Sequence, residues 1–234
     1  MLTKKTDILR QEVKAHIEAD ALVRGRYWDG DKGCFIGCLT HSSNPAFASE
    51  RFGLPEPLLR LAEHIFERLP ADDAKAFFAA FPNAVVCDGK DLSRVHWAFL
   101  AAELRMLPKE PVKVQAVIER VIAGMDALAS GGKYLSAKKD ADAAARDAAD
   151  AADYAADYAA SAAAAAARYA ASAAAWTFDA AARAADYAAV AADYAAVAAA
   201  RRRKVADAAR LDVIRRQRDL LLRLIEEAPM GETK

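Results

Sequence analysis

The feature that most constrains this sequence is a long stretch without helix breakers. Between Gly132 and Pro229 the chain has neither glycine nor proline, and 37 of the sixty residues 141–200 are alanine. Alanine has the highest helix propensity, whereas glycine and proline interrupt helices. The sequence therefore predicts that the whole second part of the chain is helical.

Six of the seven aromatic residues of this tract, all but Phe178, keep a common phase. They are separated by 4, 11, 7, 11 and 7 residues, and at about 100° per residue they fall within an arc of roughly 60°. This pattern predicts one long helix, with a hairpin near Trp176 as the alternative. We call these six residues the tyrosine stripe: Tyr154, Tyr158, Tyr169, Trp176, Tyr187 and Tyr194.

The rest of that helix surface is almost pure alanine. Alanine lets two helix backbones approach closely, so this smooth face predicts pairing between copies and hence a homo-oligomer. The tract is followed by the basic run 201–204 and by an amphipathic pattern from Val205 to Ile225. Because residues 141–200 hold eight Asp against three Arg, while residues 201–223 hold nine Lys or Arg, opposite charges favour self-association.

The first part of the chain has a mixed composition with frequent Pro and Gly. Its apolar periodicity predicts a helix from Thr6 through Leu22, a helix that begins at Pro55, and a short helix over Ala71–Phe81 that Pro82 ends. Two more helices are predicted over Leu92–Leu107, with Asp91 as N-cap, and from Pro111 to Leu128. Ala84–Cys87 is the one strand-like run. The predicted fold is all-α: a compact head over residues 1–130 and a second region over residues 134–228.

Charge and cysteine content restrict the function classes. Thirty-three basic and 33 acidic residues balance, and the excess of Asp in the alanine tract would repel phosphates, so nucleic acid is not an expected partner. No apolar run qualifies as a signal peptide or membrane span. Three cysteines, an odd number, fit a reducing compartment. We expect a cytoplasmic protein without a membrane partner.

Candidate chemistry is concentrated in residues 27–41, YWDGDKGCFIGCLTH. One interpretation is a small nucleotide-like ligand: Gly30 and Gly33 flank Lys32 before a helix start, so backbone N–H groups could hold an anion while Tyr27 and Trp28 stack on a base.

The cysteines support two other interpretations and a purely structural one. In the first, Cys34, Cys38 and His41 bind zinc, with Cys87, His64 or His96 as the fourth ligand. In the second, Cys34 at a helix N-terminus is a low-pKa nucleophile, and His41 or His96 is its base. The third makes both cysteines small buried residues that pack a short helix.

Three segments carry a resemblance: YWDGDKGCFIGCLTHSSN, RFGLPEPLLRLAEHIFERLP and DGKDLSRVHWAFL. They resemble an uncharacterised family of bacteriophage and mobile-element proteins in which an all-α head precedes Ala-rich helical repeats. The resemblance covers roughly residues 25–107. It assigns no residue role. It implies a non-enzymatic protein that binds a host protein or sequesters a nucleotide-like signal inside the bacterial host, with a thiol- or zinc-dependent enzyme as the alternative.

Overall fold

The computed structural model describes residues 1–107, 112–137, 139–140 and 206–231. The tyrosine stripe, the smooth alanine face and the basic run 201–204 lie outside the described residues, so the single-helix and hairpin alternatives both stay predictions.

The described residues form eight α-helices and isolated β-bridges without a strand, which confirms the all-α class. The helices are α1 Thr6–Glu18, α2 Phe35–Thr40, α3 Ala46–Phe52, α4 Glu56–Arg68, α5 Ala71–Val85, α6 Val95–Arg105, α7 Val112–Ala129 and α8 Ala206–Glu226.

The chain divides into two compact units. The first comprises Met1–Val95 together with Ile214–Lys234, and the second comprises His96–Val213. The first unit thus contains α1 to α5 and the last part of α8. The sequence boundary predicted near Gly131 falls within the second unit.

The core of the first unit is aromatic. Phe35 of α2 lies at its centre, with ring centroids 5.0 to 6.0 Å from four other phenylalanines: Phe66, Phe77, Phe78 and Phe81. All five rings are at most 1% exposed. Because each buried aromatic ring removes a large apolar area from water, this cluster fixes how α2 packs between α4 and α5.

Both ends of the described chain contribute to the first unit. The Thr3 amide donates to the Lys90 carbonyl (2.9 Å), and the Asp91 amide donates to the Pro229 carbonyl (2.9 Å). The buried Lys90 ammonium donates to the carbonyl of Ile225 (2.9 Å), one of the last carbonyls of α8, where a cation is favourable to the helix dipole. These bonds hold the N-terminal segment, the α5–α6 connection and the end of α8 together.

Several predicted helix limits are wrong, each for a local reason. Helix α1 ends at Glu18 rather than reaching Leu22, because the chain turns at Asp20 with a φ of 50°. Pro82 lies inside α5, which continues to Val85. A proline removes one helical hydrogen bond but leaves the buried apolar packing intact. The strand-like run Ala84–Cys87 begins as the last turn of α5 and leaves it at Val86.

Helix α6 is also shorter than predicted. It begins at Val95, because the Asp91 carboxylate accepts the Ser93 amide (3.0 Å) in a preceding turn instead of capping a helix at Leu92. Helix α7 agrees with the prediction within one residue at each end. Helix α8 confirms the predicted amphipathic helix, with Ile214, Leu221 and Ile225 buried.

The second unit contains a buried carboxylate network. Asp140 is 2% exposed and accepts hydrogen bonds from Tyr134 (3.0 Å), Ser136 (2.8 Å) and Arg120 (3.0 Å). These bonds hold the pKa of the Asp140 carboxyl below its usual range although desolvation acts in the opposite direction. The network attaches the segment after Gly132 to α7, where the Tyr134 ring lies directly over Gly124.

Candidate functional site

Residues 24–33, which we call the Trp28 loop, lie between α1 and α2 and contain the five residues predicted to bind a ligand. Both ends of the loop are fixed. At its start the Arg24 side chain donates to the Leu69 carbonyl (2.7 Å) and the Gly25 amide donates to the Glu67 carboxylate (2.6 Å). At its end the Gly33 amide donates to the Ala21 carbonyl (2.9 Å).

The Asp29 carboxylate binds groups of its own loop. Asp29 accepts the backbone amides of Asp31 (3.2 Å) and Lys32 (2.8 Å) and pairs with Arg26 (2.5 Å). These three interactions lower the pKa of Asp29 to about 2. The following amides donate to backbone carbonyls, that of Cys34 to Arg26 (2.7 Å). The amides of residues 31–34 therefore already have partners within the chain, and the anion cradle between Gly30 and Gly33 stays a prediction.

The Lys32 side chain faces a carboxylate of the protein itself. Its ammonium is about half exposed and faces Asp20 at 3.9 Å. Tyr27 and Trp28 are close in sequence but contact different groups. The Tyr27 hydroxyl accepts from Arg60 (3.1 Å), whereas the Trp28 ring stacks on His41. The residues predicted to bind a nucleotide are thus held by the protein's own side chains.

Glycine at position 37 explains how the loop approaches α2. A Cβ atom added to Gly37 would lie 1.3 Å from the Tyr27 carbonyl oxygen, and one added to Gly33 would lie 2.1 Å from the same atom. No other residue type has room at either position. The motif GCFIG therefore serves close packing of the loop backbone against α2.

The two neighbouring cysteines are buried and protonated. The Cys34 thiol, 2% exposed, donates to the Glu63 carboxylate (3.0 Å), and the Cys38 thiol lies 3.3 Å from the Gly33 carbonyl. Burial raises the pKa of each thiol from 9.0 to about 12, and the Glu63 carboxylate adds to the shift of Cys34. Because the thiolate is the reactive form, this buried environment gives no support to the nucleophile interpretation of Cys34, which stays a prediction.

The predicted partners of the cysteines also lie elsewhere. The His41 ring contacts His16 and Trp28, and His96 belongs to the second unit, where burial lowers its pKa to about 3. The Cys87 sulfur lies 3.8 Å from the Met230 sulfur. Within the described ranges no group of three or more His, Cys, Asp or Glu side chains is arranged to hold a metal ion. The zinc set Cys34, Cys38, His41 and Cys87 is therefore not brought together.

Glu63 and Arg60 of α4 complete this buried region, and sequence reasoning missed both. Glu63 is 9% exposed and faces the Arg60 guanidinium at 3.3 Å. Desolvation raises the pKa of the Glu63 carboxyl, while the hydrogen bonds from Cys34 and Arg60 act in the opposite direction. The sequence signal for this region was Glu63, a charged residue on the otherwise apolar side of α4.

Three aromatic rings form a second cluster, on the solvent side of the loop. We call it the histidine pair with Trp28. The Nε2 atoms of His16 and His41 lie 3.2 Å apart, and their rings are perpendicular at 89°. The Trp28 ring stacks on His41 with centroids 4.3 Å apart. Burial and the neighbouring His41 lower the pKa of His16. His16 was not predicted, because it comes from α1, outside residues 27–41.

Comparisons with protein-family models, curated proteins and solved structures found no match to this chain. None of the helices in the described ranges has the length and apolarity needed to cross a lipid bilayer.

Proposed function

We propose that this protein is a non-enzymatic binding protein, of the phage or mobile-element type, that docks a bacterial host protein on the Trp28 loop. The observation that carries the proposal is the combination of a fixed backbone with exposed aromatic area. Tyr27 is 42% exposed, and Trp28 and Arg26 lie beside it on the same short loop. Tyr, Trp and Arg are the residue types that dominate binding energy at protein interfaces.

The rigidity of the loop supports the same proposal. A loop whose amides and ends already have partners loses little conformational entropy when a partner binds, so more of the contact energy remains as affinity. The internal Asp29 carboxylate favours a protein partner over a nucleotide, because it occupies the amides that a phosphate would use. The protonated thiols and their burial speak against the enzyme alternative.

Self-association through the alanine tract belongs to the same proposal and concerns residues 141–200. By helical period, Ala174 and Ala192 fall on the face opposite the tyrosine stripe. We expect Ala174→Glu with Ala192→Glu to abolish the oligomer in sedimentation velocity, because two charges would have to be buried between close backbones. Tyr169→Ser is the matched control on the stripe. An oligomer that survives the two glutamates but not Tyr169→Ser would place the contact on the stripe instead.

Partner binding is tested by affinity capture from a bacterial host lysate with quantitative mass spectrometry. We compare the full chain with the double variant Tyr27→Ala, Trp28→Ala, and with Phe47→Ala as a control, since Phe47 of α3 is an exposed aromatic residue away from the loop. The expected result is a protein retained by the wild type and by Phe47→Ala and lost with the double variant. Identical captured sets for all three proteins would refute the loop as the docking surface.

A further inference from the structure

The most unusual polar geometry in the described residues is the convergence of two histidines from different helices. His16 lies in the last turn of α1, and His41 is the residue that ends α2. Their Nε2 atoms approach to 3.2 Å. Two nitrogen ligands of one zinc ion, each about 2.0–2.1 Å from the metal, are separated by roughly 3.0–3.4 Å in tetrahedral or octahedral geometry. The observed separation falls in that range.

Each ring is also held by a contact that does not use its Nε2 atom. The His41 ring is stacked on Trp28 at an interplanar angle of 18°. The His16 ring is hydrogen-bonded to the backbone at Cys38, and Trp28 meets it edge-on at a centroid distance of 5.7 Å. Partners that orient the ring of a ligating histidine are a general property of metal sites.

The backbone at His41 adds a second, independent observation. His41 has a φ of 52°, in the left-handed region where a residue with a Cβ atom is disfavoured. Such conformations are concentrated at functional sites, since the surrounding contacts must stabilise them. The ring of His41, at this left-handed end of α2, contacts His16 of α1.

Solvent access and charge also fit a cation. His16 is half-buried and His41 is exposed, so water molecules can complete the coordination sphere. The Glu12 carboxylate, one turn before His16, acts favourably on positive charge at that ring.

We propose that His16 and His41 bind one divalent transition-metal ion through their Nε2 atoms, with water filling the remaining positions. Imidazole nitrogen suits zinc, copper and nickel, and zinc is the probe we choose because it has no redox chemistry. With two protein ligands the site is open rather than closed. This inference concerns the isolated chain and does not depend on a bound host protein.

The chain offers a clean test because it contains only four histidines. Metal-stripped full-length protein is titrated with zinc chloride in a calorimeter at pH 7.5, as wild type, His16→Gln, His41→Asn and His64→Gln. Asn tolerates the left-handed backbone of position 41, so that variant keeps its fold. We expect one zinc per chain in the wild type and in the His64→Gln control, and a loss of affinity of more than about 10-fold in the other two variants.

Two results would overturn the proposal. One is wild-type protein that takes up no zinc at millimolar concentration, which would leave the pair as a neutral hydrogen bond. The other is zinc uptake that is unchanged in both His16→Gln and His41→Asn. Titration with cobalt(II) adds a spectroscopic readout, since a thiolate charge-transfer band would assign the ion to Cys87 and equally contradict the histidine site.

Discussion

Two polar pairs flank the Trp28 loop, and they differ mainly in burial. On the inner side the Cys34 thiol donates to Glu63, and both residues are at most 9% exposed. On the outer side His16 meets His41, where solvent reaches both rings. Desolvation dominates the inner pair and favours neutral groups, so the thiol and carboxyl stay protonated more readily than in water. The ring nitrogens of the outer pair are accessible to ions from the solvent.

The difference in burial between the two pairs explains why the spacing of residues 27–41 did not predict which side chains meet. Residue types suggested chemistry for both cysteines and His41 as one group. In the fold, Phe35 and its neighbours pack in the core and both thiols of the same segment are buried. His41, at the left-handed end of α2, is exposed. Four experiments test the difference between the two sides, and they are ordered by the size of the expected effect.

The largest difference should appear in thiol reactivity. A rise in the pKa of Cys34 and Cys38 from 9.0 to about 12 lowers the thiolate fraction near neutral pH by about 1,000-fold. We expect iodoacetamide at pH 8 to modify the half-exposed Cys87 first and the other two only after unfolding in urea. Mass spectrometry of tryptic peptides measures the order. Rapid labelling of Cys34 in the folded protein would contradict the burial of the inner pair.

The substitution Gly37→Ala should disturb both pairs at once. The added methyl group would lie 1.3 Å from the Tyr27 carbonyl oxygen, so the loop must move away from α2. We expect a loss of about 3 kcal/mol in the free energy of unfolding, the upper end of the cost of overpacking. Urea denaturation measures the loss. Gly30→Ala is the control: it has open space but a φ of 110°, so it should cost only about 1 kcal/mol of backbone strain.

The Glu63→Gln variant should change how stability depends on pH. The folded state raises the pKa of Glu63 above 4.5, so the folded protein binds a proton more readily than the unfolded chain. The resulting stability is present below pH 4.5 and is lost as pH rises through the folded-state pKa. Urea denaturation between pH 4 and 7 should therefore show a steeper fall for the wild type than for Glu63→Gln. Parallel curves for the two proteins would exclude a buried titrating Glu63.

The outer pair should show the opposite pH dependence, with a smaller amplitude. The pKa of His16 is lowered, so its contribution to stability is present above pH 6.5 and is lost as pH falls through the folded-state pKa. Because the Trp28 ring meets the His16 ring edge-on, protonation of His16 should also change the indole fluorescence. We expect a fluorescence transition below pH 6.5 in wild-type protein and none in His16→Gln, with Trp97 and Trp176 replaced by Phe in both. A transition that persists in His16→Gln would contradict its assignment to His16.

Much of the fold could be predicted from local sequence. The helices α4 and α7 follow from a proline near their start and from a strong apolar period, and the amphipathic pattern before Ile225 predicted α8. The short helix α2 was predicted only as the helix that the two cysteines pack, and α3 was not predicted, since six or seven residues carry too little periodicity. The end of α5 was missed because buried aromatic packing outweighs the single hydrogen bond that Pro82 removes.

The helical class and the amphipathic helices α4, α7 and α8 follow from composition and local apolar period alone. Which side chains meet depends instead on tertiary packing. The contact between His16 and His41, the bond from Cys34 to Glu63 and the close approach of Tyr27 to Gly37 each join residues from separate elements. Such contacts depend on how helices pack and on where burial removes water, and neither quantity is encoded in the spacing of one segment.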